Sequence, residues 1–147
     1  MSRYIPTNPA KAEFLTDLIV LELSNGRHKL IQDLWIYSAK LGRVMIAPLG
    51  AVTNYASSPR VFWGIVPPDG PWKWAAVGHD VAYHGELVDV TGRPIYLTKA
   101  QADNLFGELM AVPPCNTVPA WKRWIMVRFV KRYGASAYRG DPPKVEP

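Results

Sequence analysis

The residues best able to do chemistry lie in Gly78-His79-Asp80-Val81-Ala82-Tyr83-His84. An imidazole can take up a proton near neutral pH, and a buried carboxylate can orient it. On a helix, His79 and Tyr83 are four apart and share a face; Asp80 and His84 share the neighbouring one. Asp80 projects about 100° away from His79, so the two have different jobs. Asp103 follows on the next helical segment. Two antiparallel helices can face His79 with Asp103, so that the carboxylate holds one ring nitrogen and the other is left as a base. The plainer alternative is a helix–helix hydrogen bond without chemistry.

Asp80 has the character of a hard-cation ligand, with carbonyls of the loop at 48 to 64 completing an oxygen shell. Its alternative is a salt bridge to Arg60 or Arg128. His84 could join a softer metal, but its spacing of five from His79 is not the same-face pair of a zinc helix, so zinc is unsupported. Ser57 and Ser58 sit in Thr53-Asn54-Tyr55-Ala56-Ser57-Ser58-Pro59-Arg60. They lack a Gly-x-Ser-x-Gly elbow, and a hydrogen-bonded loop is the favoured reading. The single cysteine, Cys115, lies in a Pro-Pro-Cys-Asn loop and reads as structural. No phosphate-cradling Gly-rich loop or dinucleotide fingerprint is present.

Several elements must position these groups. Residues 1 to 12 read as an irregular arm with Pro6 and Pro9. Phe14 to Leu23 and His28 to Tyr37 read as two strands around a Ser24-Asn25-Gly26 hairpin turn. Arg43 to Ala47 is a third strand, stopped by Pro48. The stretch 48 to 70 is rich in Pro and Gly and reads as an ordered loop. Pro71 suits a helix start, and the helix runs from about Trp72 to His84, with Gly85 as its stop. Thr98-Lys99-Ala100-Gln101 is a capping box opening a helix whose stripe is Ala102, Leu105, Phe106, Leu109 and Met110. Asp103 borders that stripe. Pro119 opens a last helix, from about Ala120 to Tyr133, with Trp121, Ile125, Phe129 and Tyr133 on one face.

The 147 residues suit one globular domain at 13–134, preceded by the arm and followed by a Pro-rich tail at 135–147. The expected fold class is α+β: a small N-terminal antiparallel β-sheet, then two or three packed helices. With one cysteine, the fold relies on its core and not on a disulfide. There is no signal-peptide pattern and no run long enough to span a membrane. The net charge of +5 is concentrated near the C-terminus, at Lys122, Arg123, Arg128, Lys131, Arg132 and Arg139. Such a patch suits phosphates of lipid or of nucleic acid, or else is a solvated helix face. Nucleic acid is the weaker reading, because no recognisable binding module is present. Six Trp and seven Tyr suit an interface with lipid or with another protein.

The ordered set from Ala47-Pro48 through Thr53 to Arg60, then Gly78-His79-Asp80-Val81-Ala82-Tyr83, Ala102-Asp103-Asn104-Leu105-Phe106 and the last helix resembles an uncharacterised domain family of tailed bacteriophages and prophages. That family's pattern reads Thr-Asp-x-Ala-Ser-x-Pro-Arg, His-Asp-x-x-Tyr and Ala-Asp-x-x-Phe. Asn54 stands where the family usually has aspartate. More distantly, His-Asp-x-x-Tyr is similar to the active helix of bacterial and fungal secreted phospholipases that cut the sn-2 ester. That resemblance implies His79 as base, Asp103 as its orienting partner, Tyr83 as a supporting hydrogen bond and Asp80 as a calcium ligand, with Asn54 in the calcium loop. Those enzymes are usually disulfide-bonded, unlike this chain. The resulting expectation is a phage-encoded, calcium-assisted hydrolase of esters, located in the host cytoplasm or virion. The alternative is a non-enzymatic virion or host-interaction protein whose His/Asp cluster is structural.

Overall fold

The computed structural model describes residues 4–24, 27–53 and 70–133. The apolar run at 14–23 forms two short strands in place of the expected one. These are β1 (Glu13–Phe14) and β2 (Val20–Glu22). The break has a local cause at Thr16. Its hydroxyl accepts the Trp35 amide at 2.9 Å and donates to the Asp33 carbonyl at 3.1 Å. A side chain thus takes the place of the ladder, and the backbone leaves it.

The return run divides in the same way, into β3 (His28–Leu30) and β4 (Leu34–Ser38). Between them the Asp33 carboxylate accepts the Leu49 amide at 2.6 Å and fixes the bend. β5 (Arg43–Ala47) and β6 (Val52–Thr53) follow. The expected single sheet is therefore two antiparallel three-stranded sheets, ordered β1-β4-β5 and β2-β3-β6. β6 falls within the stretch read as loop. β2 and β3 pair antiparallel as the hairpin signal implied, although Asn25 and Gly26 lie outside the described residues.

Three helices complete the α+β fold: α1 (Lys73–Tyr83), α2 (Lys99–Met110) and α3 (Ala120–Tyr133). A 3₁₀ turn at Cys115–Thr117 joins the last two. α1 is the central element, and every residue from Ala75 to Tyr83 is buried. A helix buried all round must be accommodated on each side. It packs against α2, against β5 and β6, and against the 3₁₀ turn. Its end is closed by Gly85, at φ 69°. The Gly85 amide donates to the Ala82 carbonyl at 3.1 Å and the Glu86 amide to the Val81 carbonyl at 3.0 Å. This paired pattern satisfies the last carbonyls of the helix, and glycine adopts the left-handed conformation it needs at little cost.

The capping box on α2 forms in both directions. The Thr98 hydroxyl accepts the Gln101 amide, and the Gln101 side chain accepts the Thr98 amide. α3 occupies the expected span, and Ile125 and Phe129 of the expected face pack against the core, but Met126 is the buried residue and Trp121 is turned out. Met126 is 2% exposed, whereas Trp121 is 59% exposed. The helix is apolar on more than one stripe, so its sequence period did not single out Met126. Nothing is described of the Tyr133 side chain or of residues 135–147.

Within the arm, the Tyr4 ring packs edge-on against Trp35, and the Pro9 carbonyl accepts the Tyr37 hydroxyl at 2.7 Å. The segment after α1 is also tethered. Val88 bridges Ile46 on one side and Pro94 on the other.

At Gly78, α1 comes close to its neighbours. A Cβ there would lie 3.0 Å from Ile36 Cδ1 and 3.2 Å from Leu109 Cδ1, both on buried side chains. Overpacking of this kind costs about 1–3 kcal/mol. Gly78→Val is therefore expected to lower stability by about that amount in chemical denaturation, and an unchanged midpoint would refute the close packing.

Candidate functional site

His79 and Asp103 face one another across the α1–α2 interface, with His79 Nε2 2.9 Å from Asp103 Oδ1. His79 is 3% exposed and Asp103 2%. The Tyr83 hydroxyl donates to the same oxygen at 2.5 Å. Lys99 Nζ donates to Oδ2, also at 2.5 Å. A buried charge is costly unless paired and hydrogen-bonded, and here one carboxylate receives three donors. Burial pushes the Asp103 carboxyl up. The hydrogen bonds from His79, Lys99 and Tyr83 outweigh it and hold the group below its ordinary value of 3.8.

The ionised state of Asp103 determines the His79 tautomer. A carboxylate only accepts, so Nε2 must carry the proton that bonds it. In the neutral ring, Nδ1 is then the atom with a free lone pair. His79 Nδ1 is buried and has no hydrogen-bond partner among the described residues. The ring is also held sterically. Its centroid lies 4.1 Å from that of Tyr83 and 5.2 Å from that of Phe106. The result is a fixed imidazole with one nitrogen anchored and the other unused.

Asp80 lies on another side of α1 and does not join this network. It is buried, its Oδ2 has no partner among the described residues, and its Oδ1 is 3.8 Å from His84 Nε2. Arg128, the alternative partner, instead stacks its guanidinium over Trp124 at 4.7 Å. Arg60, Asn54, Ser57 and Ser58 lie outside the described residues, as does most of the loop expected to supply carbonyls. Calcium takes about six to eight oxygen ligands. The unpartnered Asp80 oxygen is a donor of the right kind. Among the described residues, no group of three or more His, Cys, Asp or Glu side chains could hold a metal ion.

Cys115 is buried and its thiol is pushed up to about 12 by burial. Its sulfur donates to the Pro71 carbonyl at 3.2 Å. It is a structural thiol and not a nucleophile.

Two contributors were missed in the sequence. Lys99 was read only as part of a capping box, yet it stands four residues before Asp103, the spacing of a helical ion pair. Lys99 Nζ also donates to the Lys131 carbonyl at 3.1 Å and the Val130 carbonyl at 3.4 Å. It thereby ties the last turn of α3 to the dyad. Phe106 was assigned to the core stripe, and its contact with the imidazole had no signal beyond the Ala-Asp-x-x-Phe spacing.

A family model described as "Protein of unknown function (DUF1353)" matches residues 29–130. The chain belongs to this family. The matched stretch contains His79, Asp80, Tyr83, Lys99, Asp103 and Phe106, so the whole network lies inside the DUF1353 region. No curated protein and no solved structure matches the chain.

The low folded-state value of Asp103 has a consequence for acid stability. A carboxyl held below its unfolded value stabilises the fold fully at pH above that unfolded value. The contribution disappears as the pH falls through the lower, folded value. Urea unfolding from pH 7 to pH 2 should therefore show a loss below about pH 4 that is much reduced in Asp103→Asn. Lys99→Met at pH 7 should cost about 1–3 kcal/mol, since it removes a charged donor from a buried carboxylate. A Lys99→Met protein as stable as the native chain would refute the network.

Proposed function

We propose that this protein is a hydrolase in which His79 activates water for attack on an ester, with phospholipid as the substrate class. The observation that carries the reading is the His79 ring, anchored at Nε2 by Asp103 and unpartnered at Nδ1. In the step proposed, Nδ1 accepts a proton as water oxygen adds to the ester carbonyl carbon. The imidazolium so formed is stabilised by the Asp103 carboxylate. The proton then passes from Nδ1 to the leaving alkoxide as the carbon–oxygen bond breaks. Tyr83 and Lys99 keep Asp103 ionised and in place, and Phe106 restrains the ring.

Asp80 is proposed as a calcium ligand, with Asn54 a second donor. Bound calcium would supply positive charge to the carbonyl oxygen as negative charge develops on it. A tailed-phage or prophage origin is proposed from the ordered motifs alone, and with it a place in the host cell or the virion.

The burial of His79 favours a second reading, in which the network is structural and the protein is a non-enzymatic virion or host-interaction component. Hydrolysis assays on phospholipid and small esters separate the two. The native chain is expected to be active, and His79→Gln to lose about a hundredfold or more while still melting cooperatively. An inactive native chain, with His79→Gln less stable by about 1–3 kcal/mol, would establish the structural reading instead.

Calcium should also raise the melting temperature of the native chain, because it binds only the folded state, and Asp80→Ala should abolish that rise. An identical melting temperature with and without calcium would remove the metal from the account.

A further inference from the structure

We propose that α3 is a membrane-docking helix that seats on anionic phospholipid headgroups. The inference deepens the proposed function by naming the surface on which it would act, but does not depend on His79 being catalytic.

α3 carries five bases, Lys122, Arg123, Arg128, Lys131 and Arg132, and no acid. Across the rest of the chain, the remaining twelve bases are matched by twelve acids, so this helix accounts for the whole net charge. Its outward stripe follows helical spacing through Trp121, Trp124, Arg128 and Lys131, all exposed. Trp121 is 59% exposed and Trp124 61%, two of the most exposed large apolar side chains described. Open clefts of 480 and 380 Å³ flank Trp124, and Lys131 borders both. Arg128 lines the first and Lys40 and Arg123 the second, and among the described residues neither cleft is bordered by an acid.

Indole rings with one apolar body and one polar edge favour the headgroup level of a bilayer, and Lys and Arg beside them meet lipid phosphates. A single-stranded nucleic acid would use the indoles differently, by stacking bases on their faces. Here Lys122 lies over Trp121 at 5.4 Å and Arg128 over Trp124 at 4.7 Å. Each ring already has a cation on a face. The stripe also runs along the exposed side of one helix. Charge and shape together favour a lipid surface.

Co-sedimentation with vesicles tests this. The full chain is expected to bind vesicles of equal phosphatidylglycerol and phosphatidylcholine and to leave pure phosphatidylcholine vesicles unbound. Arg128→Glu with Lys131→Glu should weaken binding at least about tenfold. Trp121→Ser with Trp124→Ser should do the same with a native-like melting temperature, because both side chains are exposed. Should the tryptophan pair fail to fold, the charge-reversal pair carries the test. His79→Gln should bind as the native chain does, which separates failure of docking from failure of hydrolysis. Three results would overturn the proposal. They are no binding to anionic vesicles, equal binding to both vesicle types, and undiminished binding by the altered chains. Binding of a single-stranded oligonucleotide through these residues, without vesicle binding, would assign the face to nucleic acid.

Discussion

A single buried carboxylate organises the helical half of this molecule. Asp103 is ionised at a position from which water is almost excluded, and that state persists only because donors reach it from two helices. His79 and Tyr83 stand one turn apart on α1, and Lys99 and Asp103 stand one turn apart on α2. Two pairs at four-residue spacing therefore meet across one interface. A slip of either helix by one residue would rotate a donor away by about 100° and leave the charge exposed to apolar surroundings. Lys99 extends the constraint to α3 through two backbone carbonyls. Through Lys99, the network around Asp103 thus links all three helices.

A network built only for stability would leave no member short of a partner. This one leaves His79 Nδ1 short, and outside the network Asp80 Oδ2 is a second such atom; among the described residues both are buried and unpartnered, on different sides of the same helix. Each such group costs about 1–3 kcal/mol relative to a satisfied one. Unpaired buried polar atoms in an otherwise consistent structure are where a binding or catalytic role is expected. The chemistry also fits the two atoms separately. A free imidazole nitrogen accepts a proton, and a free carboxylate oxygen suits a cation.

Most of this was legible from the sequence where local rules decide. The capping box at Thr98, the glycine stop after α1, the third strand and the span of the last helix follow from cap, turn and propensity chemistry. The pairing of His79 with Asp103 was legible because four-residue spacing and two short helices leave few arrangements. The division of each early apolar run into two strands was not, since it depends on Thr16 and Asp33 replacing backbone ladder bonds with side-chain ones. Lys99 was obscured by its position in a capping box, which explained it well enough locally. On α3, Ile125 and Phe129 of the expected face do pack inward, but the sequence is apolar on several stripes, so the burial of Met126 and the exposure of Trp121 were not legible. Asn54 and the loop around it lie outside the described residues, and their part remains an inference from the residue pattern.

Asp103 fixes His79 as the Nε2-protonated tautomer with Nδ1 open. Long-range ¹H–¹⁵N NMR correlation on histidine-labelled protein at neutral pH reads this directly. A protonated Nε2 and an unprotonated Nδ1 are expected for His79, with the preference lost in Asp103→Leu, which has no acceptor. A His79 ring protonated at Nδ1 in the native chain, or an unchanged tautomer in Asp103→Leu, would refute the anchoring.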